Sequence, residues 1–296
     1  MNYKLSNDEL DVTFTTLGGT LCSIKDKEGV EYLWQGDKTY WSGQAPVLFP
    51  ICGSIRDDRA TVGGDTEVKM PRHGIVRKKE FKMEKIERDS ITFSIESTPE
   101  LKEQFPFEFK LLTHYKLQDR TIRVTYEVCN TGHTVFPFFV GGHPGFNCPL
   151  AEGEKYEDYQ LVFEKEETCS VPYPVTETGL IDMSRRTPFF RKERKLALRH
   201  ELFERDAVIL DELKSRRVRL ESVNTGQGVT LSFADFPYLI LWSSSNGGPF
   251  VALEPWTGLS TCNDEGEAVE DKRNVQFVDS NESKSHTFEI TVNERK

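Results

Sequence analysis

The sequence predicts an all-β protein built as a large antiparallel β-sandwich. Apolar residues recur at every second position through many short segments, and turn-forming residues separate those segments. Few stretches between them are long or periodic enough for helices. A parallel sheet would need such helices as crossovers, so consecutive strands are expected to pair antiparallel.

In chain order, "ITFSIES" places Ile91, Phe93 and Ile95 on one strand face. "FEFKLLTHYKL" follows with Phe107, Phe109 and Leu111, and the turn Gln118-Asp119-Arg120 leads into "TIRVTYEVCN", which offers Ile122, Val124, Tyr126 and Val128. Asn130-Thr131-Gly132 ends that strand, and Asn224-Thr225-Gly226 precedes "VTLSF". "FVALE" is read as a strand with Phe250, Ala252 and Glu254 on one face, ended by Pro255, and "TFEITV" supplies the last. The best helical segment is "RKLALRHELF", for which a loop is the alternative. "CNDEGEAVEDKRN", Cys262 to Asn274, reads as a solvated loop. With no repeat, low-complexity tract or Pro/Ser-rich linker, one domain over residues 1–296 with roughly twenty strands is expected.

At 296 residues the chain can bury a large core without a disulfide or metal. A formal net charge of -10 argues against nucleic acid or an anionic membrane as partner, because both select a positive face. The opening "MNYKLSNDEL" lacks the apolar core of a signal peptide and no apolar run approaches a membrane span, so a cytoplasmic location is expected. Cys22, Cys52, Cys129, Cys148, Cys169 and Cys262 form no CxxC pair and read as small buried hydrophobes. GxxxxGK[ST], a strand-borne GxGxxG, GxSxG and HExxH are all missing, which removes the usual support for nucleotide cofactors, serine hydrolysis and metalloproteolysis.

Four stretches are out of place in a plain sandwich. They are "APVLFPICGSIRDDR" with Arg56 and Arg59, "PRHGIVRKKEF" with His73 and Arg77, "FFVGGHPGFN" with His143, and "FVALEPWTG" with Glu254. Glycine and proline around a polar side chain fix the backbone and let a ligand approach. Each stretch also has a structural reading: a satisfied histidine, a surface arginine, a carboxylate bonded to backbone amides or guarding a sheet edge. His114, His133, His200 and His286 read as structural. Together, two histidines and a carboxylate suit a reaction that needs an acid and a base at once. The same trio could hold zinc as a His₂Glu set. The close His–His spacing that preorganises such a site is missing, so no metal is expected.

The order "PVLFPI…HG…R…GGHPGFN…EPW" resembles the aldose 1-epimerase (galactose mutarotase-like) family, in particular its LacX-like branch, over nearly the whole chain. The resemblance implies a β-supersandwich with an open sugar cleft and no cofactor. It implies His143 as the general acid toward the ring oxygen, Glu254 as the general base toward the C1 hydroxyl, and His73 as an orienting donor. Arg77 and Asp206 would bind the sugar, with Phe146 or Trp256 as an apolar wall. Relatives often carry an arginine where Ser54 stands; in an extended segment Arg56 would lie on the same side and take over its contact.

The expected function is interconversion of α and β hexose anomers on a small-molecule sugar. The alternatives are a hexose-6-phosphate mutarotase, using arginines among Arg56, Arg59, Arg72 and Arg77, and a non-catalytic sugar-binding protein of the same fold. Monomer and homodimer are both left open.

Overall fold

The alternation along the sequence becomes two large sheets in the computed structural model of the chain, which describes residues 1–295. Among these residues there are 22 strands. The larger sheet has nine, in the order Leu180–Ala197, Tyr159–Val175, Arg217–Ser222, Gly228–Ser232, Ser283–Asn293, Thr121–Asn130, Phe109–Gln118, Ser90–Glu96 and Lys82–Ile86. Every pairing in it is antiparallel.

The register explains why the alternation is so clean. Val124 sits opposite Tyr115 on one side and Phe288 on the other, and Ile122 opposite Leu117 and Ile290, so each row carries matched apolar side chains. A slip of one residue would turn the whole row to solvent. Each such side chain contributes about 1.5–3 kcal/mol on burial. Phe49 and Phe109, with ring centroids 5.0 Å apart, join this row to a further aromatic group with Phe105, Phe136 and Phe138. A three-stranded sheet from the N-terminus, Asn2–Ser6, Leu10–Thr15 and Thr20–Asp26, packs here through Phe14 against Tyr115 at 4.9 Å.

The smaller sheet has six strands. Val208–Leu210, Tyr238–Trp242, Phe250–Trp256, Gly141–Gly142 and Val47–Leu48 follow in order, and Gly145–Asn147 also pairs with Phe250–Trp256. One face of this sheet meets the larger one: a Cβ on Gly142 would come within 3.1 Å of Phe288 and the Tyr126 hydroxyl. The opposite face bears the site. Strand Phe250–Trp256 is buried on both faces, because it is central in the sheet and the cleft-side face is roofed by Trp34 and Trp41, which stack on Phe250 at 4.8 and 5.5 Å.

Three local expectations need correction. "RKLALRHELF" is neither a continuous helix nor a simple loop: residues 194–197 finish strand Leu180–Ala197, and only His200–Phe203 turns, as a 3-10 helix. Pairing with Tyr159–Val175 outweighs local helix propensity there. Phe107 precedes the strand Phe109–Gln118 and instead packs on Phe136 at 5.4 Å. Pro255 does not end its strand, which runs on to Trp256 with Pro255 opposite Leu239. The amides of Leu253 and Thr257 point toward the Val140–Pro144 side, bonding to Pro144 and Val140 carbonyls. By the period of two, the missing donor of Pro255 falls on the same side, where the ladder is interrupted between Gly141 and Gly145.

Candidate active site

His143 occupies that interruption. Gly141–Gly142 and Gly145–Asn147 each pair with strand Phe250–Trp256, and between them the His143-Pro144 step stands outside the ladder. Glu254 lies on the neighbouring strand, on the same face. His143 Nε2 comes within 3.2 Å of Glu254 Oε2, an ion-pair distance without hydrogen-bond alignment, and both side chains are buried. Gly145 is required beside them, since a Cβ there would sit 2.9 Å from the Trp41 ring. That ring in turn stacks on His143 at 4.8 Å and 29°.

His73 arrives from a different loop. Gly74 forms a parallel bridge to Phe49 with φ of 78°, and a Cβ on it would lie 2.1 Å from the Phe49 carbonyl oxygen. Only glycine fits that approach. His73 itself has φ of 69°, a left-handed conformation that costs about 1–3 kcal/mol and must be held by its surroundings. Two hydrogen bonds hold it: its amide donates to the Gly53 carbonyl at 2.7 Å, and the Gly53 amide donates to His73 Nδ1 at 3.2 Å. A neutral imidazole has one acceptor nitrogen, so the ring accepts from the Gly53 amide at Nδ1 or from Arg72 at Nε2, not from both at once. Arg72 Nε lies 3.3 Å from that Nε2.

Asp206 closes the ring of polar groups. It too is left-handed, with φ of 83°, just before strand Val208–Leu210, and its carboxylate meets Arg72 Nη2 at 3.4 Å. The cleft these residues enclose is about 240 Å³. That is below the roughly 300–1,000 Å³ of sites for drug-sized ligands and suits a monosaccharide. Its apolar wall comes from Trp41, Trp242 and Trp256, with Ile240 from the strand Tyr238–Trp242.

Electrostatics follow from burial. Removal from water pushes the Glu254 carboxyl well above the usual carboxylate range, with Arg72 opposing and Asp206 adding to the rise. It holds the His143 imidazole down to about 3, and Arg72 and Arg77 act in the same direction. His73 is also held well below its ordinary value by burial, then by the His143, Arg72 and Arg77 charges. Both shifts favour the uncharged forms of His143 and Glu254. His143 Nδ1 and Glu254 Oε2 are buried with no hydrogen-bond partner in the protein, an arrangement that leaves them to a ligand.

The structure brings together His73, Arg77, His143, Asp206, Glu254 and Trp256 of the residues singled out in the sequence. It leaves three elsewhere. Arg56 is not in an extended segment: residues 56–58 turn, with Asp57 and Asp58 at positive φ, and the guanidinium donates to the Glu265 carbonyl at 3.3 Å. Phe146 pairs with Val251 and packs fully buried in the core, away from the cleft. Arg59 pairs with Glu67 on the surface. Trp41 and Trp242 carry no local signal comparable to Gly-His-Pro, and their part in the wall depends on long-range packing. Among the described residues, no group of three or more His, Cys, Asp or Glu side chains is placed to hold a metal ion, and no helix is long and apolar enough to cross a membrane.

The comparisons with known proteins give the family and the fold. Residues 1–287 match the aldose 1-epimerase family. The chromosomally encoded protein LacX of Lactococcus lactis subsp. lactis is 48% identical over 99% of both chains. Among solved structures, a galactose mutarotase related enzyme from Lactobacillus acidophilus superposes with a TM-score of 0.93 at 28% identity, covering 99% of this chain and 98% of that one. A galactose mutarotase-like protein from Lactobacillus casei gives a TM-score of 0.87 at 27% identity, covering 99% and 100%. The fold is that of the galactose mutarotase-like proteins, and the family is one of isomerases acting on carbohydrate. The chain belongs to the aldose 1-epimerase family.

Proposed function

We propose that the chain interconverts the α and β anomers of a hexose by acid–base ring opening and closure. The observation that carries this is the buried His143–Glu254 pair, 3.2 Å apart on one side of a monosaccharide-sized cleft. Ring opening needs a proton delivered to the ring oxygen and another taken from the C1 hydroxyl as the C1–O5 bond breaks. Rotation about C1–C2 and closure on the other carbonyl face reverse both transfers. A pair sharing one proton supplies an acid and a base in either direction.

In this reading His143 is the acid and Glu254 the base. The sugar's oxygens replace the missing hydrogen-bond partners of both groups and stabilise their charged forms. The proton then passes from Glu254 to His143 before ring opening. His73, with Arg72 beside it, orients the ring oxygen, Asp206 accepts from sugar hydroxyls, and the tryptophan wall meets the C–H face. Polarimetry of freshly dissolved α-glucose and α-galactose tests the proposal, with Glu254→Ala as control. A sugar that is bound but anomerises at the solvent rate would make this a binding protein.

A second reading, with a phosphorylated hexose as substrate, is favoured by Arg77. It lines the cleft half-buried and forms no ion pair among the described residues, whereas Arg72 is matched by Asp206. Competition of hexose 6-phosphate against free hexose separates the two.

A further inference from the structure

The long hairpin of Tyr159–Val175 and Leu180–Ala197 leaves the larger sheet beyond Phe163, the last of its residues to pair with Arg217–Ser222. Four register shifts between Val162 and Tyr173 bend its outer half. Its tip comes to rest against Ser54 and Arg72.

The tip is latched there by four hydrogen bonds. The Ile181 amide donates to the Thr261 carbonyl at 3.1 Å, and the Ile181 carbonyl accepts from the Asn263 amide at 2.8 Å. The Asn263 side chain accepts from the Met183 amide at 3.0 Å and donates to Asp182 Oδ1 at 2.7 Å. The same segment holds Ser54, whose amide donates to Ser260 Oγ at 2.9 Å and whose carbonyl accepts from the Thr261 amide at 2.8 Å.

Gly179 closes the turn with φ of 70° and its amide donates to the Val175 carbonyl at 2.8 Å. A Cβ there would lie 2.7 Å from Ser54 Oγ, 3.3 Å from Ser54 Cβ and 3.1 Å from Arg72 Nη1. Ser54 is buried and fixed through both its backbone groups, so the partner free to yield is Arg72, whose side chain is 40% exposed. The contact with Asp206 does not fix the guanidinium. Nη1 and Nη2 both reach one oxygen, Oδ2, at 3.5 and 3.4 Å, in place of the two short parallel bonds of a bidentate pair. An arginine held so loosely keeps rotamer freedom, and the hairpin tip removes it on one side.

We propose that Gly179 is a positioning residue for the cleft: its lack of a side chain sets where the Arg72 guanidinium stands between Asp206 and His73, and through it the affinity for the hexose ring. The effect on affinity rests on the sugar-binding reading of the cleft; the placement of Arg72 does not.

The test replaces Gly179 by asparagine, which tolerates a left-handed backbone and brings a side chain larger than a methyl group. Gly153→Asn is the matched control, since Gly153 is also left-handed, with φ of 85°, and a Cβ there meets nothing within 4 Å. NMR of the arginine Nε–H groups, with Arg72→Lys to assign the Arg72 signal, reads the placement without any sugar. That signal should move in Gly179→Asn and stay in place in Gly153→Asn. Asn263→Ala removes two of the four latching bonds without altering the tip itself. It should move the signal too, and it decides the matter if Gly179→Asn does not fold. With α-galactose or α-glucose, Gly179→Asn should raise KM about fivefold with kcat within about twofold, and in an Arg72→Ala background it should raise KM no further. An Arg72 signal unmoved by either variant, or a rise in KM that persists without Arg72, overturns the proposal. A moved signal with no calorimetric binding of either hexose and no anomer exchange would retire the sugar-site reading and keep the placement.

Discussion

His143 and Glu254 face each other at 3.2 Å because Pro255 cannot donate to the strand beside it. The gap in the ladder frees the His143-Pro144 step to leave the sheet, and the strand alternation that points Phe250 and Ala252 toward the roofing tryptophans points Glu254 at the imidazole. Burial then favours the uncharged form of each group.

That preference gives a pH prediction. The one-proton state persists until His143 takes a second proton near about 3 and until Glu254, with its raised value, loses the first. Anomer exchange corrected for the solvent rate should hold level below pH 4.5, down toward about 3, with its basic limb set by the raised Glu254 value. A narrow bell bounded by ordinary values, near 4.5 and 6.5, would contradict it.

Trp41 covers His143 and helps keep it dry. Trp41→Ala should therefore raise the His143 value toward 6.5 and move the acid limb of the rate profile upward. An NMR titration of the imidazole C–H signals, with His143→Asn for assignment, reads the shift directly. An unchanged midpoint would show that the stacking contributes nothing to desolvation.

Arg72 and Arg56 should behave oppositely. Arg72 stands beside His73 Nε2 and Asp206, so Arg72→Ala should raise KM for hexose about tenfold or more. Arg56 bonds the Glu265 carbonyl outside the cleft, so Arg56→Ala should leave KM within about twofold. A comparable rise in both would mean that Arg56 reaches the sugar after all.

Glu254 also carries a stability cost. Its folded value lies above the unfolded 4.5, so its contribution to stability is full below 4.5 and is lost as pH rises toward the folded value. His143, depressed on folding, works the other way: its contribution is full above 6.5 and is lost as pH falls toward about 3. Both proteins retain His143, so the difference between them isolates Glu254. Glu254→Gln should gain thermal stability over wild type as pH rises from 5 to 8, by about 2–4 °C for each kcal/mol relieved. A difference in Tm that does not grow with pH would contradict the raised carboxyl.

Much of this was legible in the sequence, for physical reasons that vary by residue. Val124, Tyr126 and Phe288 alternate because one face of each strand is buried, and that pattern is local. His73 and His143 stood out because glycine and proline beside a polar group mark a backbone that must approach something closely. Arg56 misled because its direction depends on whether the chain turns at residues 56–58, and Asp57 and Asp58 gave no clear turn signal. Phe146 misled because a buried phenylalanine and a cleft-wall phenylalanine look alike in sequence. Trp41, Trp242 and the Arg72–Asp206 contact join segments far apart in the chain. Only packing could place them.

The most direct measurement is the rate of approach to anomeric equilibrium of α-galactose and α-glucose, followed by polarimetry with wild type, His143→Ala and Glu254→Ala. Wild type should accelerate exchange of at least one hexose in proportion to enzyme concentration, and each substitution should reduce that acceleration by about 10²–10⁴-fold while leaving the fold intact by circular dichroism. Wild-type rates equal to the solvent rate across the sugars, or full activity in either variant, would contradict the central claim.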